Sequence, residues 1–246
     1  MTRSRLLLVH GWGADRRSWD EIAKLVEPWA DVLAPDLAGH GERTDDGELT
    51  VERLVDDLAG GLSEPVVAVG HSMGGQLVTW LAVRYPSLVQ RLVVIDPAYG
   101  ADDAEMDQCP AVLEDLLTRG SESGVEFVDR AFADAHGSGL HLDARAQMAV
   151  TQGPVLAGLY ESMYLASGSI GSRPAARAFL PTVGKPCLSL YSNEYAAAFA
   201  RSIPWPPGST IEVWPGTTHY LHQQHPDRFA ELLRAWTSLE FEITAE

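Results

Sequence analysis

One stretch constrains this chain more than any other. Pro65–Gly70, a near-continuous run of Val and Ala, passes through Gly70-His71-Ser72-Met73-Gly74-Gly75 straight into a helical stretch that Pro86 stops. A strand this uniformly apolar must be buried on both faces. Sheets of that kind are parallel and carry helices on either side.

The rest of the chain fits such a sheet. Arg5–Val9, Asp31–Asp36, Arg91–Ile95, Cys187–Tyr191 and Thr210–Trp214 are short apolar runs that read as further strands. Between them, Val51, Leu54, Val55 and Leu58 recur at i, i+3, i+4 and i+7, one face of an amphipathic helix, with Thr50 as its N-cap. Phe229, Leu232, Leu233 and Trp236 share a face near the end. The expected fold is α/β: a mostly parallel sheet of roughly six strands with helices on both faces. Between Asp96 and Pro181 the alternation is lost. Helical patches at Val112–Leu117 and Gly124–Ala133 stand among Gly, Ser and Pro, with no convincing strand. Residues 100–180 are therefore expected to form a helical cap inserted in a core of 1–99 and 181–246.

Composition excludes some functions. A formal charge of −16 and no basic run disfavour nucleic acid and anionic membranes as partners. No apolar run is long enough for a membrane helix, and Leu6–Val9 is too short for a signal h-region. Cys109 and Cys187 lie in unrelated segments, so reduced thiols in a cytoplasmic setting are expected.

The strand-to-helix setting of Ser72 is what a Gly-x-Ser-x-Gly nucleophile elbow requires. The tight turn lifts the hydroxyl from the sheet edge, and the Met73 N–H opens the helix where an oxyanion would form. A plain turn containing serine is the bland alternative. His10-Gly11-Trp12-Gly13 follows the first strand, and the Trp12 N–H is the expected second oxyanion donor. His219, in Gly216-Thr217-Thr218-His219 after the last strand, can reach back over the sheet edge as general base. His222 and His225 follow at three-residue steps, but Pro226 interrupts any helix and no ligand set is completed, so no metal is expected. His40, His71, His136 and His141 read as turn, packing or solvent residues.

His-Gly-Trp, Gly-His-Ser-Met-Gly-Gly and Gly-Thr-Thr-His, in that order, resemble the α/β-hydrolase superfamily. The opening is similar to small carboxylesterases such as the pimeloyl-carrier methyl esterases. The resemblance implies Ser72 as nucleophile, His219 as base, Trp12 and Met73 as oxyanion donors, and no cofactor. It departs at the acid. Most of the family place an Asp after the strand that follows the cap, where this chain has Ser192-Asn193-Glu194-Tyr195. Glu194 is one candidate. Asp96, after the strand that follows the elbow helix, is the other, a place used by zearalenone-type lactonases and quinaldine-type dioxygenases. It is the expected acid, because that strand should lie beside the elbow strand and bring Asp96 to the same sheet edge as Ser72. The leading expectation is hydrolysis of a carboxylic ester or lactone of a hydrophobic small molecule. A cofactor-free dioxygenase using a His219–Asp96 dyad and a non-catalytic binding module are the alternatives from other classes.

Overall fold

In the computed structural model, residues 3–45, 47–132 and 135–238 are described; Ala133 and the outermost residues of the expected core fall outside them. Six strands form one sheet: β1 (Ser4–Val9), β2 (Ala30–Leu33), β3 (Val66–His71), β4 (Val89–Ile95), β5 (Cys187–Tyr191) and β6 (Thr210–Val213). Their order is β2-β1-β3-β4-β5-β6, and every pairing is parallel. The second strand is shorter than expected. It stops before Pro35, which has no N–H to give the ladder.

Strand periodicity divides the core. Leu7, Val9, Ala68, Leu92 and Val94 face one side, where they pack with α2 (Val51–Gly60) and α3 (Met73–Arg84). Leu6, Leu8, Val67, Val69, Val93 and Ile95 face the other, against Trp19 and the apolar faces of α1 (Asp20–Val26) and the C-terminal helix. Thr50 caps α2 as its side chain predicts, accepting the Arg53 N–H at 3.2 Å.

Between β4 and β5 the chain runs through α4 (Asp103–Arg119), α5 (Ser121–Phe132), α6 (Gly139–Val150), α7 (Gly153–Tyr164) and α8 (Arg173–Phe179). Far more of this segment is helical than the two patches suggested. The punctuation misled for identifiable reasons: Pro110 is tolerated inside α4, Pro154 lies in the first turn of α7, and Ser138 and Ser172 are N-caps. Leu116, Val128, Leu156, Leu159 and Met163 continue the apolar cluster of β1, α2 and α3. After β5 come α9 (Glu194–Arg201), and after β6 the short α10 (Leu221–Gln224) and α11 (Pro226–Ser238).

Candidate active site

The elbow is fixed by two close approaches. A Cβ on Gly70 would lie 2.1 Å from the Gly74 carbonyl oxygen, and one on Gly74 would lie 2.2 Å from that of Val9. Both positions therefore require glycine, and Ser72 is held between them at φ 53°. Among the described residues, Ser72 and Asp96 (φ 39°) are the non-glycine residues with positive φ. Such backbone costs on the order of 1–3 kcal/mol each and gathers at functional sites. These two residues are neighbours, because β3 and β4 pair with His71 opposite Ile95. The Ser72 N–H donates to Ile95 O (2.9 Å), and the Asp96 N–H continues the ladder to Leu190 O (2.8 Å).

Asp96 is half-buried, with its side chain 8% exposed, and its carboxylate is held from two directions. Ser192, just past β5, donates its N–H to one oxygen (2.9 Å) and its hydroxyl to the other (2.5 Å). His219 Nδ1 lies 3.3 Å from Asp96 Oδ2. That leaves His219 Nε2, which is buried without a hydrogen-bond partner, on a ring that lines the same cavity as Ser72. Glu194 is elsewhere: it is exposed in the first turn of α9 and paired with Arg201. Of the two acid candidates, the geometry brings Asp96 to the histidine.

The loop carrying His219 is anchored throughout. Thr217 Oγ1 donates to Trp214 O (2.7 Å), the Thr218 N–H to Gln224 Oε1 (2.7 Å) and the His219 N–H to Ala131 O of α5 (3.4 Å). His71 Nε2–H donates to the His219 carbonyl at 2.9 Å. Burial and the nearby His219 and His222 imidazoles hold the His71 pKa well below the ordinary value, so it stays neutral. The sequence offered packing or turn as the reading of His71; its tie to the His219 loop was missed, as was Ser192. A polar residue directly after a buried strand is the signal that Ser192 gave.

Met73 is the first residue of α3, so its N–H has no intrahelical acceptor. Trp12 lies in a turn closed by the Ala14 N–H on Gly11 O (3.2 Å), and its indole donates to Leu156 O of α7 (3.0 Å). Gly11 runs close to the elbow: a Cβ there would lie 3.4 Å from Ser72 Cβ. Two buried histidines brace this turn. His10 Nε2 accepts the Leu37 N–H (3.0 Å) while its Nδ1–H donates to Gly11 O (2.9 Å). His40 Nε2 accepts the Gly13 N–H (3.2 Å) while its Nδ1–H donates to Ala38 O (3.1 Å). Both are therefore neutral, and burial lowers both pKa values, that of His40 to about 3.

Two cavities meet at Ser72. One of about 870 Å³ holds Asp96 and His219; the other, of about 190 Å³, lies against Trp12. Phe127, Phe132 and Tyr164 line the first and Phe127, Tyr160, Met163 and Tyr164 the second, whereas Leu156 and Leu159 are core. For a metal, Asp129, His136 and His141 bring ligand atoms within 4.8 Å of one another. Their bonding does not suit one. His141 Nδ1 accepts the Gly137 N–H (2.9 Å), its Nε2–H donates to Asp129 (2.7 Å), and Arg145 pairs with both carboxylate oxygens.

A six-stranded parallel sheet with a strained serine between its central strand and helix, opposite a histidine loop, defines the α/β-hydrolase fold. Residues 6–232 match the family model described as "Alpha/beta hydrolase family", and the chain belongs to that family of hydrolases. Among curated relatives, the pimeloyl-[acyl-carrier protein] methyl ester esterase of Yersinia enterocolitica is 26% identical over 93% of this chain and 91% of its own. The biotin biosynthesis bifunctional protein BioHC of Teredinibacter turnerae is 33% identical over 54% of this chain, a match that covers 24% of that protein. Among solved structures, a thermophilic esterase from Thermogutta terrifontis superposes with a TM-score of 0.78 at 25% identity, covering 96% of this chain and 90% of that one. The enol-lactonase of Burkholderia xenovorans shares the fold (TM-score 0.81, 18% identity, 97% and 93% covered). Among the described residues no helix is long and apolar enough to cross a membrane.

Proposed function

We propose that this chain hydrolyses a carboxylic ester or lactone of a hydrophobic small molecule through an acyl-enzyme on Ser72. The carrying observation is the Asp96–His219 contact beside the strained elbow. The acid occupies Nδ1, and Nε2 is left to take the Ser72 proton. Ser72 Oγ then attacks the carbonyl carbon, and the Trp12 and Met73 N–H groups receive the developing oxyanion. Collapse breaks the bond to the alcohol oxygen, which leaves with the proton from His219. Water, deprotonated by the same imidazole, releases the acid and regenerates Ser72. These steps use groups of the chain and water alone. Helices α4–α8 act as the cap, with 1–99 and 181–246 as the core. The free, buried thiols of Cys109 and Cys187 support a reducing, cytoplasmic setting.

The test is labelling with a fluorophosphonate. One adduct at Ser72, loss of esterase activity in Ser72→Ala, and turnover without oxygen are the expected results. An adduct at another serine, or full activity in the alanine variant, overturns the reading. Strict oxygen dependence would instead favour dyad dioxygenation.

A further inference from the structure

The two cavities that meet at Ser72 differ in more than size. His219 lines the 870 Å³ cavity and not the smaller one, whereas Trp12 lines the 190 Å³ cavity and not the larger. Resting on the acyl-enzyme reading above, we infer that the acyl half of the substrate occupies the small cavity and the alcohol half the large one. The enzyme is then an esterase for short acyl groups on bulkier alcohols.

Proton transfer sets the direction. When the tetrahedral intermediate collapses, the electron pair of the breaking C–O bond passes to the alcohol oxygen. That oxygen must collect the proton that His219 Nε2 took from Ser72, so the alcohol side faces His219. The carbonyl carbon stays on Ser72 Oγ with its oxygen toward the Trp12 and Met73 N–H groups. The acyl chain therefore extends on the side away from His219, along Trp12.

The walls set the length. At roughly 30 Å³ per water-sized group, a space of 190 Å³ admits a chain of about six heavy atoms. Its lining is mostly apolar, with Trp12, Val112, Phe127, Tyr160 and Met163 around Ser72. It is also braced. The Trp12 ring lies edge-on to Phe127 (5.7 Å between centroids) and 6.0 Å from Tyr160, which is 5.1 Å from Tyr164. The Trp12 indole bond to Leu156 O fixes the ring against α7. Glu105, an exposed side chain that lines both cavities, has one carboxylate oxygen engaged by the Asp102 N–H (2.8 Å).

The experiment is a p-nitrophenyl ester series from acetate to laurate. The specificity constant is expected to be greatest near butanoate and hexanoate and to fall by about tenfold or more by decanoate. Tyr160→Ala, which removes part of the lining, is expected to move that fall about two carbons further; Tyr160→Leu serves if the alanine variant does not fold. Tyr195→Ala, on an exposed ring of the large cavity, should leave the acyl profile in place and change KM for bulky-alcohol butanoates. A profile flat to laurate, or one moved by Tyr195→Ala and not by Tyr160→Ala, overturns the assignment of the cavities while phosphonate labelling of Ser72 still stands. No turnover of any ester together with no label at Ser72 overturns both readings.

Discussion

Acidification between pH 7 and 5.5 should remove a large part of the folding stability of this protein. His10, His40, His71 and His222 are each at most 4% exposed. Burial is the leading cause of the lowered pKa in all four, with values of about 3 for His40 and His222. The unfolded chain carries these imidazoles at 6.5, so below that pH it binds protons the folded state refuses. Stability is then fully present above pH 6.5 and is lost as pH falls, until His40 and His222 themselves protonate near 3 in the folded state. His40, His71 and His222 each contribute just over 1 kcal/mol across this window, together about 4 kcal/mol, and His10 adds in the same direction, against a typical total of about 5–15 kcal/mol. Carboxylates whose pKa is held down by arginine or N–H donors, such as Asp15 and Asp129, titrate below this window. The assay is urea unfolding at pH 7.0 and 5.5, with the denaturation midpoint and slope read at each. His222→Leu should lower the proton uptake by about one, since that ring has both nitrogens without partners beside Trp19 and Phe229. A stability change under about 1 kcal/mol in wild type would refute the neutral-histidine argument.

Removing the proposed acid by Asp96→Asn should lower turnover on the order of 10³–10⁴-fold, whereas Glu194→Gln should cost less than about tenfold; steady-state kinetics of both variants decide the assignment. Ser192→Ala deletes the 2.5 Å bond to Asp96. It is expected to lower kcat by about tenfold with little change in KM, because a partly buried charge-assisted bond contributes on the order of 1.5 kcal/mol. Gly74→Ala drives a methyl group into the Val9 carbonyl. The expected destabilisation is at the upper end of about 1–3 kcal/mol, read as a lower thermal midpoint.

The parts legible in the sequence were those governed by local pattern. Two-sided apolar strands announced a parallel sheet, and the setting of Ser72 between strand and helix singled it out. The cap was less legible, because Pro110, Pro154 and the capping serines interrupt composition without interrupting helix. Motif spacing alone left two candidates for the acid, and the expected adjacency of sequential parallel strands pointed to Asp96. What separates Asp96 from Glu194 is strand adjacency: β4 lies between β3 and β5, so Asp96 meets both the His219 ring and Ser192. The bracing of the Trp12 turn by His10 and His40 depends on contacts 27 residues away in sequence, which no periodicity records.

Because β3, α3 and β4 form one continuous parallel unit, Ser72 and Asp96 move as a single rigid piece. Their separation is set within the sheet and not by the helices between β4 and β5. Of Ser72, Asp96 and His219, the proposed triad, His219 is the one that arrives from a distant loop, and that loop touches α5 through the Ala131 carbonyl. Any displacement of α5 by a large ligand is thereby felt by His219 before it is felt by Ser72 or Asp96. Divergence of specificity in such a molecule has an inexpensive route. The helices of the insert can be exchanged so long as the place of one imidazole is kept, whereas the loop after β5 must keep Ser192 beside Asp96.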